Sequence, residues 1–484
     1  MGKYDGLLLK RVDAFFKEFE SYNGEILYII EPGYVINKYA YLIWRMMDEE
    51  IQFENLSELL VHRIKGATED YCKSLLAKTI DQLYHRQLLL INGKPVDQKQ
   101  YFSSTYLSED DFLNTFQVRP ITQIDLVVTT KCNFQCKHCY IKKENLRDSG
   151  CIPVDAWKET LNRLSKIGLL SITVTGGEPL TYFGLVDVLD YANDLGMKIQ
   201  LLTNGFLIDE AFAKRIAAYR NIIVQVSLDG SSADSSEKQR GFAGAFNRTI
   251  HNIELLTSLG IEVIVAMVLN KENIHDLFDG SMVRLCSNLG VHVLGITPTV
   301  ISVSNAAENS EMFLSPQEAY DAVCYVNREN DNNTFPENLI VNIGVPPALS
   351  RENSISRVKK IRPRCRRGTN SFSVRPNGDV YVCTDFAELN YAEYHIGNIL
   401  FDAISDIIAK LTPIERKKKT DLHKIKGVCS ICKELPYCWG ACRADAFSKY
   451  HDMNAPYPFC QSLYELGIFP SDEIETQLTY REID

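Results

Sequence analysis

Between residues 121 and 330 the hydrophobic period switches repeatedly from two to three-and-four. Short apolar runs read as strands at Gln123–Val128, Ser171–Val174, Lys198–Leu202, Ile222–Leu228, Glu262–Val268 and Val291–Ile296. Helical spacing fills the gaps near 154–168, 183–195, 208–219, 243–259 and 274–289, with a further helix at 316–329. Strands that alternate with helices predict a parallel sheet with right-handed crossovers. Six such units, not eight, predict an α/β fold built on a partial (β/α)6 barrel, whose chemistry should sit at the C-terminal strand ends.

The first 105 residues have a different pattern. Leu7, Leu8, Val12, Phe15, Phe16 and Phe19 follow helical spacing, and Gly24 to Ile30 reads as a strand closed by Glu31-Pro32-Gly33. Helices are expected at Val35–Met47, Leu56–Ile64 and Tyr71–Tyr84, then a strand at Gln87–Ile91. This is a winged-helix-like α+β pattern. With 13 Lys+Arg against 15 Asp+Glu the segment lacks the basic face that DNA binding requires. Such a fold can instead take an extended peptide onto a sheet edge through main-chain hydrogen bonds.

Residues 106–120 read as a linker, and 331–360 as a polar bridge with one strand-like run at Leu339–Ile343. A basic stretch from Arg357 to Arg367 flanks Cys365; it reads as a solvated face or as an offset to thiolate charge. The segment Phe372–Val382 is a β-hairpin by its Asn377-Gly378 turn and alternating flanks. It opens a cysteine-rich C-terminal domain over 361–484.

A net charge of −10 argues against a nucleic-acid protein, and 45% hydrophobic residues are ordinary for a globular chain. There is no signal-peptide pattern, and no run approaches the roughly 18 apolar residues of a membrane span. The expectation is a cytoplasmic protein with neither nucleic-acid nor membrane partner. Ten of the 14 cysteines fall in three groups, which reads as metal sites and not as a disulfide framework.

The first group is Cys132, Cys136 and Cys139, directly after the first barrel strand. Three thiolates on one loop can hold three irons of a [4Fe–4S] cube and leave the fourth free. A zinc site would need another ligand, for which His138 is available. The second strand ends in Thr175-Gly176-Gly177-Glu178-Pro179, the third in Thr203-Asn204-Gly205, and the fourth in Ser227-Leu228-Asp229-Gly230. The second and third groups are Cys365 with Cys383, and Cys429, Cys432, Cys438, Cys442 and Cys460.

The cysteine loop with its following Tyr140, the Gly-Gly-Glu-Pro turn and the run to Arg240-Gly241 resemble the radical S-adenosylmethionine (SAM) enzymes of the SPASM branch. The resemblance implies SAM on the free iron of the first cluster. It gives SAM contacts to Tyr140, Gly176, Gly177, Glu178 and Pro179, with Glu178 as acceptor for the amino group. It also implies ribose contacts from Asn204 and Ser227 and a carboxylate contact from Arg240. Relatives carry His-Asp where this chain has Ser236-Glu237, so no role is carried to that pair. Asp229 is either a turn residue or a substrate contact.

The seven later cysteines match the SPASM pattern. The resemblance implies that Cys429, Cys432, Cys438 and Cys460 close an outer auxiliary cluster and that Cys365, Cys383 and Cys442 bind an inner one. The extra cysteine of relatives is missing from Arg366–Ser371, so the expectation is an inner cluster with an open fourth iron. A substrate thiolate, a water, a carboxylate or one of the four unassigned cysteines can fill it. Cys72, Cys286 and Cys324 read as buried structural thiols.

The implied cofactors are SAM and three [4Fe–4S] clusters, and the implied chemistry is hydrogen abstraction by a 5′-deoxyadenosyl radical. No further catalytic residue is assigned. The N-terminal unit resembles the precursor-recognition element of peptide maturases. The expected partners are a precursor peptide, with its leader on that unit and its core in the barrel, and a reductant such as flavodoxin or ferredoxin. The expected reaction is thioether formation from cysteine sulfur to carbon. Carbon–carbon or carbon–oxygen crosslinking, formylglycine formation, and a non-catalytic iron–sulfur binder or regulator are the alternatives.

Overall fold

A computed structural model of the chain describes residues 7–11, 16–20, 26–30, 34–63, 68–85, 88–92, 121–139, 141, 151–299, 310–350, 368 and 371–474. They fall in two compact units, one drawn from Met1–Thr122 with Leu164–Leu170, the other from Gln123–Arg163 with Ser171–Asp484.

The first unit holds strands β1 (Leu8–Arg11), β2 (Phe16–Glu20), β3 (Ile26–Ile30), β4 (Tyr34–Asn37), β5 (Ile51–Gln52) and β6 (Leu89–Ile91). Its helices are α1 (Lys38–Arg45), α2 (Phe53–Arg63) and α3 (Glu69–His85). Two three-stranded antiparallel sheets form, ordered β5-β1-β6 and β2-β3-β4. The helix expected from Leu7 to Phe19 is a correction: its described residues form β1 and β2. The partners of β1 lie at Ile51–Gln52 and Leu89–Ile91, far along the chain, so local spacing could not report them. Likewise the helix expected from Val35 starts at Lys38, because β4 takes Tyr34–Asn37 into a ladder with β3.

Trp44 anchors this unit's core. It is fully buried among Leu9, Leu56, Leu76 and Leu89, and its indole N–H donates to the Leu88 carbonyl at 2.9 Å. The Arg11 guanidinium lies 4.6 Å from the ring centroid.

The second unit is built on one ten-stranded sheet. Its parallel strands are β7 (Gln123–Thr129), β8 (Ser171–Gly176), β9 (Lys198–Thr203), β10 (Ile222–Ser227), β11 (Glu262–Leu269), β12 (Val293–Pro298) and β13 (Ile340–Ile343). The six expected strands are all present. Strand β13, from the stretch read as a bridge, extends the sheet as a seventh parallel member. At the other edge β14 (Ser371–Val374) pairs in parallel with β7, followed by antiparallel β15 (Asp379–Tyr381) and β16 (His395–Asn398). The β14–β15 hairpin turns at Asn377-Gly378 as its sequence predicts, with Gly378 at φ +89°.

Central strands β7 and β8 are buried along almost their whole length, as parallel strands covered on both faces must be. Among the described residues no helix is long and apolar enough to cross a membrane.

Candidate functional site: cluster loop and cysteine-rich domain

Strand β7 delivers its C-terminal end to Thr129, and the chain then turns through Cys132, Cys136 and Cys139. The loop is pinned from several sides. Phe134 N–H donates to Cys132 Sγ at 3.4 Å, and Lys137 N–H donates to the Gln239 carbonyl at 2.9 Å. From the neighbouring strand end, Gly177 N–H donates to the Thr129 carbonyl at 2.9 Å and Glu178 N–H to the Lys131 carbonyl at 2.8 Å.

This explains the glycine pair. A Cβ on Gly176, at φ +152°, would stand 2.2 Å from the Thr129 oxygen, and one on Gly177 would stand 2.3 Å from the Lys131 oxygen. Close backbone approach is indeed required there, and the neighbour in this structure is the cysteine loop itself.

Glu178 is 1% exposed, and its carboxylate is engaged by protein donors. Oε1 accepts from Leu180 N–H at 3.0 Å and from Thr203 Oγ1 at 2.8 Å; Oε2 accepts from Asn204 N–H at 2.7 Å. The side chain thus ties the ends of β8 and β9 together. Burial pushes its pKa up, against the pull of these donors. Asn204 continues the chain of bonds, donating from Nδ2 to Asn133 Oδ1 on the cysteine loop at 2.7 Å. Pro179 is buried at the start of the short turn Pro179–Thr181, and Ser227 ends β10 half-buried.

Arg240 closes the helix Ala233–Arg240 and points back at the loop. Its Nε lies 2.6 Å from Asp229 Oδ2, and Nη1 reaches Cys136 Sγ at 3.9 Å. His138 Nε2 is 3.3 Å from the same Asp229 oxygen, and Asp229 Oδ1 accepts from Val268 N–H at 2.8 Å. Asp229 is therefore a fully buried partner of Arg240 and His138, not a surface turn residue. Burial lowers the His138 pKa, opposed by Asp229.

Sequence reasoning missed a trio of aromatics. Phe134, Phe206 and Phe242 meet with ring centroids 4.9 to 5.7 Å apart and join the cysteine loop, the turn after β9 and the segment after Arg240. The available signal was that each ring lies within two residues of a motif residue.

The loop suits an iron–sulfur centre. Burial pushes the Cys132 and Cys139 thiols up to about 11, so as bare thiols they are protonated; a metal centre supplies the positive charge that holds them as thiolates.

In the C-terminal region Cys429, Cys432, Cys438 and Cys460 line one cavity together with Leu435 and Tyr457. Among the described residues no three His, Cys, Asp or Glu side chains are arranged for a single metal ion. Four thiols around one shared space can bind a polynuclear cluster, one thiolate to each iron. Tyr457 N–H donates to Cys429 Sγ at 3.3 Å.

Cys442 does not line this cavity. Between it and Cys438 stand Trp439, Gly440 and Ala441, at φ +53°, +72° and +56°. A left-handed run containing two non-glycine residues costs about 1–2 kcal/mol at each of them, and strain of this kind collects at functional sites. The turn sends the two cysteines different ways. Cys442 caps the helix Arg443–Tyr450, and buried Cys383 caps the helix Thr384–Glu388. Burial pushes the Asp445 carboxyl up to about 7, with the charge of Asp385 raising it further and Cys442 and Arg443 opposing. Cys365 and Tyr140 lie outside the described residues. Cys286 is buried as expected, and so is Cys72, whereas Cys324 is exposed. The expectation for Cys324 is corrected: its helix turns that side chain outward, against Tyr320.

Comparison with known proteins agrees with this geometry. The radical SAM superfamily matches residues 126–279, and the iron–sulfur cluster-binding domain SPASM matches residues 365–433. The chain is 25% identical over 418 residues to the antilisterial bacteriocin subtilosin biosynthesis protein AlbA of Bacillus subtilis, covering 78% of this chain and 83% of that one. It is also 25% identical over 346 residues to an AdoMet-dependent heme synthase of Methanosarcina barkeri, covering 69% and 94%. Streptococcus suis SuiB, solved with its precursor peptide SuiA, has a similar fold: TM-score 0.61 at 15% identity, over 94% of this chain and all of that one.

Proposed function

We propose that this chain, which carries a radical SAM domain and a SPASM iron–sulfur domain, matures a ribosomally synthesised peptide by joining cysteine sulfur to carbon as a thioether. Its cofactors are SAM, a [4Fe–4S] cluster and further iron–sulfur clusters. When bound, they supply one-electron chemistry able to take hydrogen from an unactivated carbon.

The chain's own residues hold and shield that chemistry. Cys132, Cys136 and Cys139 are the ligands of the first cluster. Gly176 and Gly177 admit the backbone of their loop, and Glu178 and Asn204 lock the neighbouring strand ends to it. Arg240, held by Asp229, places a cation beside Cys136. The three phenylalanines keep the loops closed against water. Cys429, Cys432, Cys438 and Cys460 hold the outer auxiliary cluster, and Cys365, Cys383 and Cys442 the inner one.

The observation that carries the reading is the parting of Cys438 and Cys442. Four thiols line one space without Cys442, which supports grouping Cys442 with Cys365 and Cys383 in a second set of three, whose fourth iron would be open to exchange with a substrate thiolate. The peptide substrate is supported by the AlbA relative and by the fold shared with SuiB. The N-terminal unit is proposed to take the leader onto an edge of one of its three-stranded sheets, with the reaction in the cytoplasm and electrons from a flavodoxin or ferredoxin. A second reading, action on a small molecule, is favoured by the heme synthase relative. Carbon–carbon or carbon–oxygen crosslinking is the chemical rival.

Mass spectrometry of a co-expressed precursor peptide tests the proposal. The expected product has lost a pair of hydrogens per crosslink, and the loss disappears when the peptide's cysteines are replaced by serine. A modification indifferent to those cysteines overturns the thioether chemistry; an untouched peptide overturns the substrate class.

A further inference from the structure

The end of the helix Ala233–Arg240 meets the first cysteine loop residue against residue. Lys137 N–H donates to the Gln239 carbonyl at 2.9 Å, Arg240 Nη1 reaches Cys136 Sγ at 3.9 Å, and a Cβ on Gly241 would stand 2.8 Å from the Gln135 carbonyl oxygen. Three consecutive residues thus oppose three others that run the opposite way. Gly241, at φ +66°, both ends the helix and admits the loop. Arg240 sits at the centre of this contact, with its cation beside the sulfur of the middle cysteine.

The protein itself sets the position of that cation. Arg240 Nε lies 2.6 Å from Asp229 Oδ2, and Asp229 is fixed in turn: Oδ1 accepts from Val268 N–H at 2.8 Å, and its carbonyl accepts from Asn273 Nδ2 at 2.6 Å. Gln239 joins the same frame, donating from Nε2 to the Ser235 carbonyl at 2.9 Å. Arg240 and Asp229 are both buried, so salt screens them little. A cation this close to a thiolate sulfur stabilises whichever oxidation state carries more negative charge. For a thiolate-bound iron cluster that is the reduced state, and hydrogen bonds to the sulfurs help to set its potential.

We propose that Arg240, held in place by Asp229, raises the reduction potential of the cluster on Cys132, Cys136 and Cys139, already in the SAM-free protein. One-electron transfer from an external reductant of the flavodoxin or ferredoxin class is thereby eased. This rests on the reading that the three cysteines hold a cluster; it does not depend on the peptide substrate or the thioether chemistry. It gives Arg240 a task apart from the contact to SAM's carboxylate that its motif implies, and it makes Asp229 a positioning residue.

The test is a redox titration of the full-length, anaerobically reconstituted protein without SAM, followed by electron paramagnetic resonance. The first cluster's signal is the one missing when Cys132, Cys136 and Cys139 are all replaced by alanine. Arg240→Gln in an Asp229→Asn background removes the cation without stranding a buried carboxylate. Measured against Asp229→Asn alone, the reduced-to-oxidised ratio at a fixed potential should fall about tenfold, a shift of about −59 mV for one electron. The auxiliary signals, with potentials unchanged, report that the variants are folded. Arg240→Lys beside native Asp229 keeps the charge and should shift by no more than half as much. An unmoved potential in the double variant overturns the proposal, and a weaker SAM affinity by calorimetry in that case confines Arg240 to the ligand. A full shift in Arg240→Lys assigns the effect to disturbed packing and overturns it as well. A protein with no signal to assign to Cys132, Cys136 and Cys139 removes the cluster reading itself, and this inference with it.

Discussion

Asp229 Oδ2 lies 2.6 Å from Arg240 Nε, while its other oxygen accepts from the backbone of β11 at Val268. One buried carboxylate therefore fixes the cation at Cys136 and ties it to a strand two places across the sheet from β9. Removing it strands a buried guanidinium. Asp229→Ala should cost about 3–5 kcal/mol, as for other broken buried pairs. Asp229→Asn keeps the acceptor for Val268 and should cost less. Urea unfolding measures both, and equal losses would show that the charge contributes nothing.

Gly177→Ala separates the first cluster from the others. The added Cβ would meet the Lys131 carbonyl, a backbone atom that cannot rotate aside. The cysteine loop must move. Iron analysis should show loss of one cluster's worth of iron, with SAM cleavage abolished and the auxiliary signals intact. Full iron content and normal cleavage would refute the close packing of the two loops.

Trp44→Ala acts on the N-terminal unit. It removes a fully buried ring and its bond to Leu88, a loss of about 3–5 kcal/mol by analogy with other large-to-small core changes. If that unit recognises the leader, peptide modification should fall while uncoupled SAM cleavage persists. Measuring 5′-deoxyadenosine and modified peptide in one reaction decides it; parallel loss of both would contradict a separate recognition role.

The parallel core was legible because each of its strands carries its own apolar run and each gap its own helical period. The motif residues were legible for a related reason: Cys132, Gly176, Asn204 and Asp229 all follow such runs at the C-terminal ends of strands. What stayed hidden was pairing. Nothing local in Leu8–Arg11 announces Ile51 and Leu89 as ladder partners, and helical spacing won by default. The same limit applies to Glu178. Its motif suggests a ligand acceptor, yet three protein donors from two strand ends converge on it. Asp229 and Arg240 are eleven positions apart in sequence, too far for a helical or strand period to link. The parting of Cys438 and Cys442 depends on left-handed backbone at Trp439 and Ala441, which neither residue type advertises.

The parallel ladder between β7 and β14 also has a temporal meaning. Strand β7 is the first strand of its sheet to leave the ribosome, and the neighbour that covers its second edge is made only after β13. During synthesis that edge stands unpaired, next to the cysteines that must later receive a cluster. Ladders between such distant segments form slowly, and exposed strand edges invite association between chains. Cluster loading and edge closure thus compete with aggregation in a nascent chain, and slower translation after β13 would lengthen the exposure.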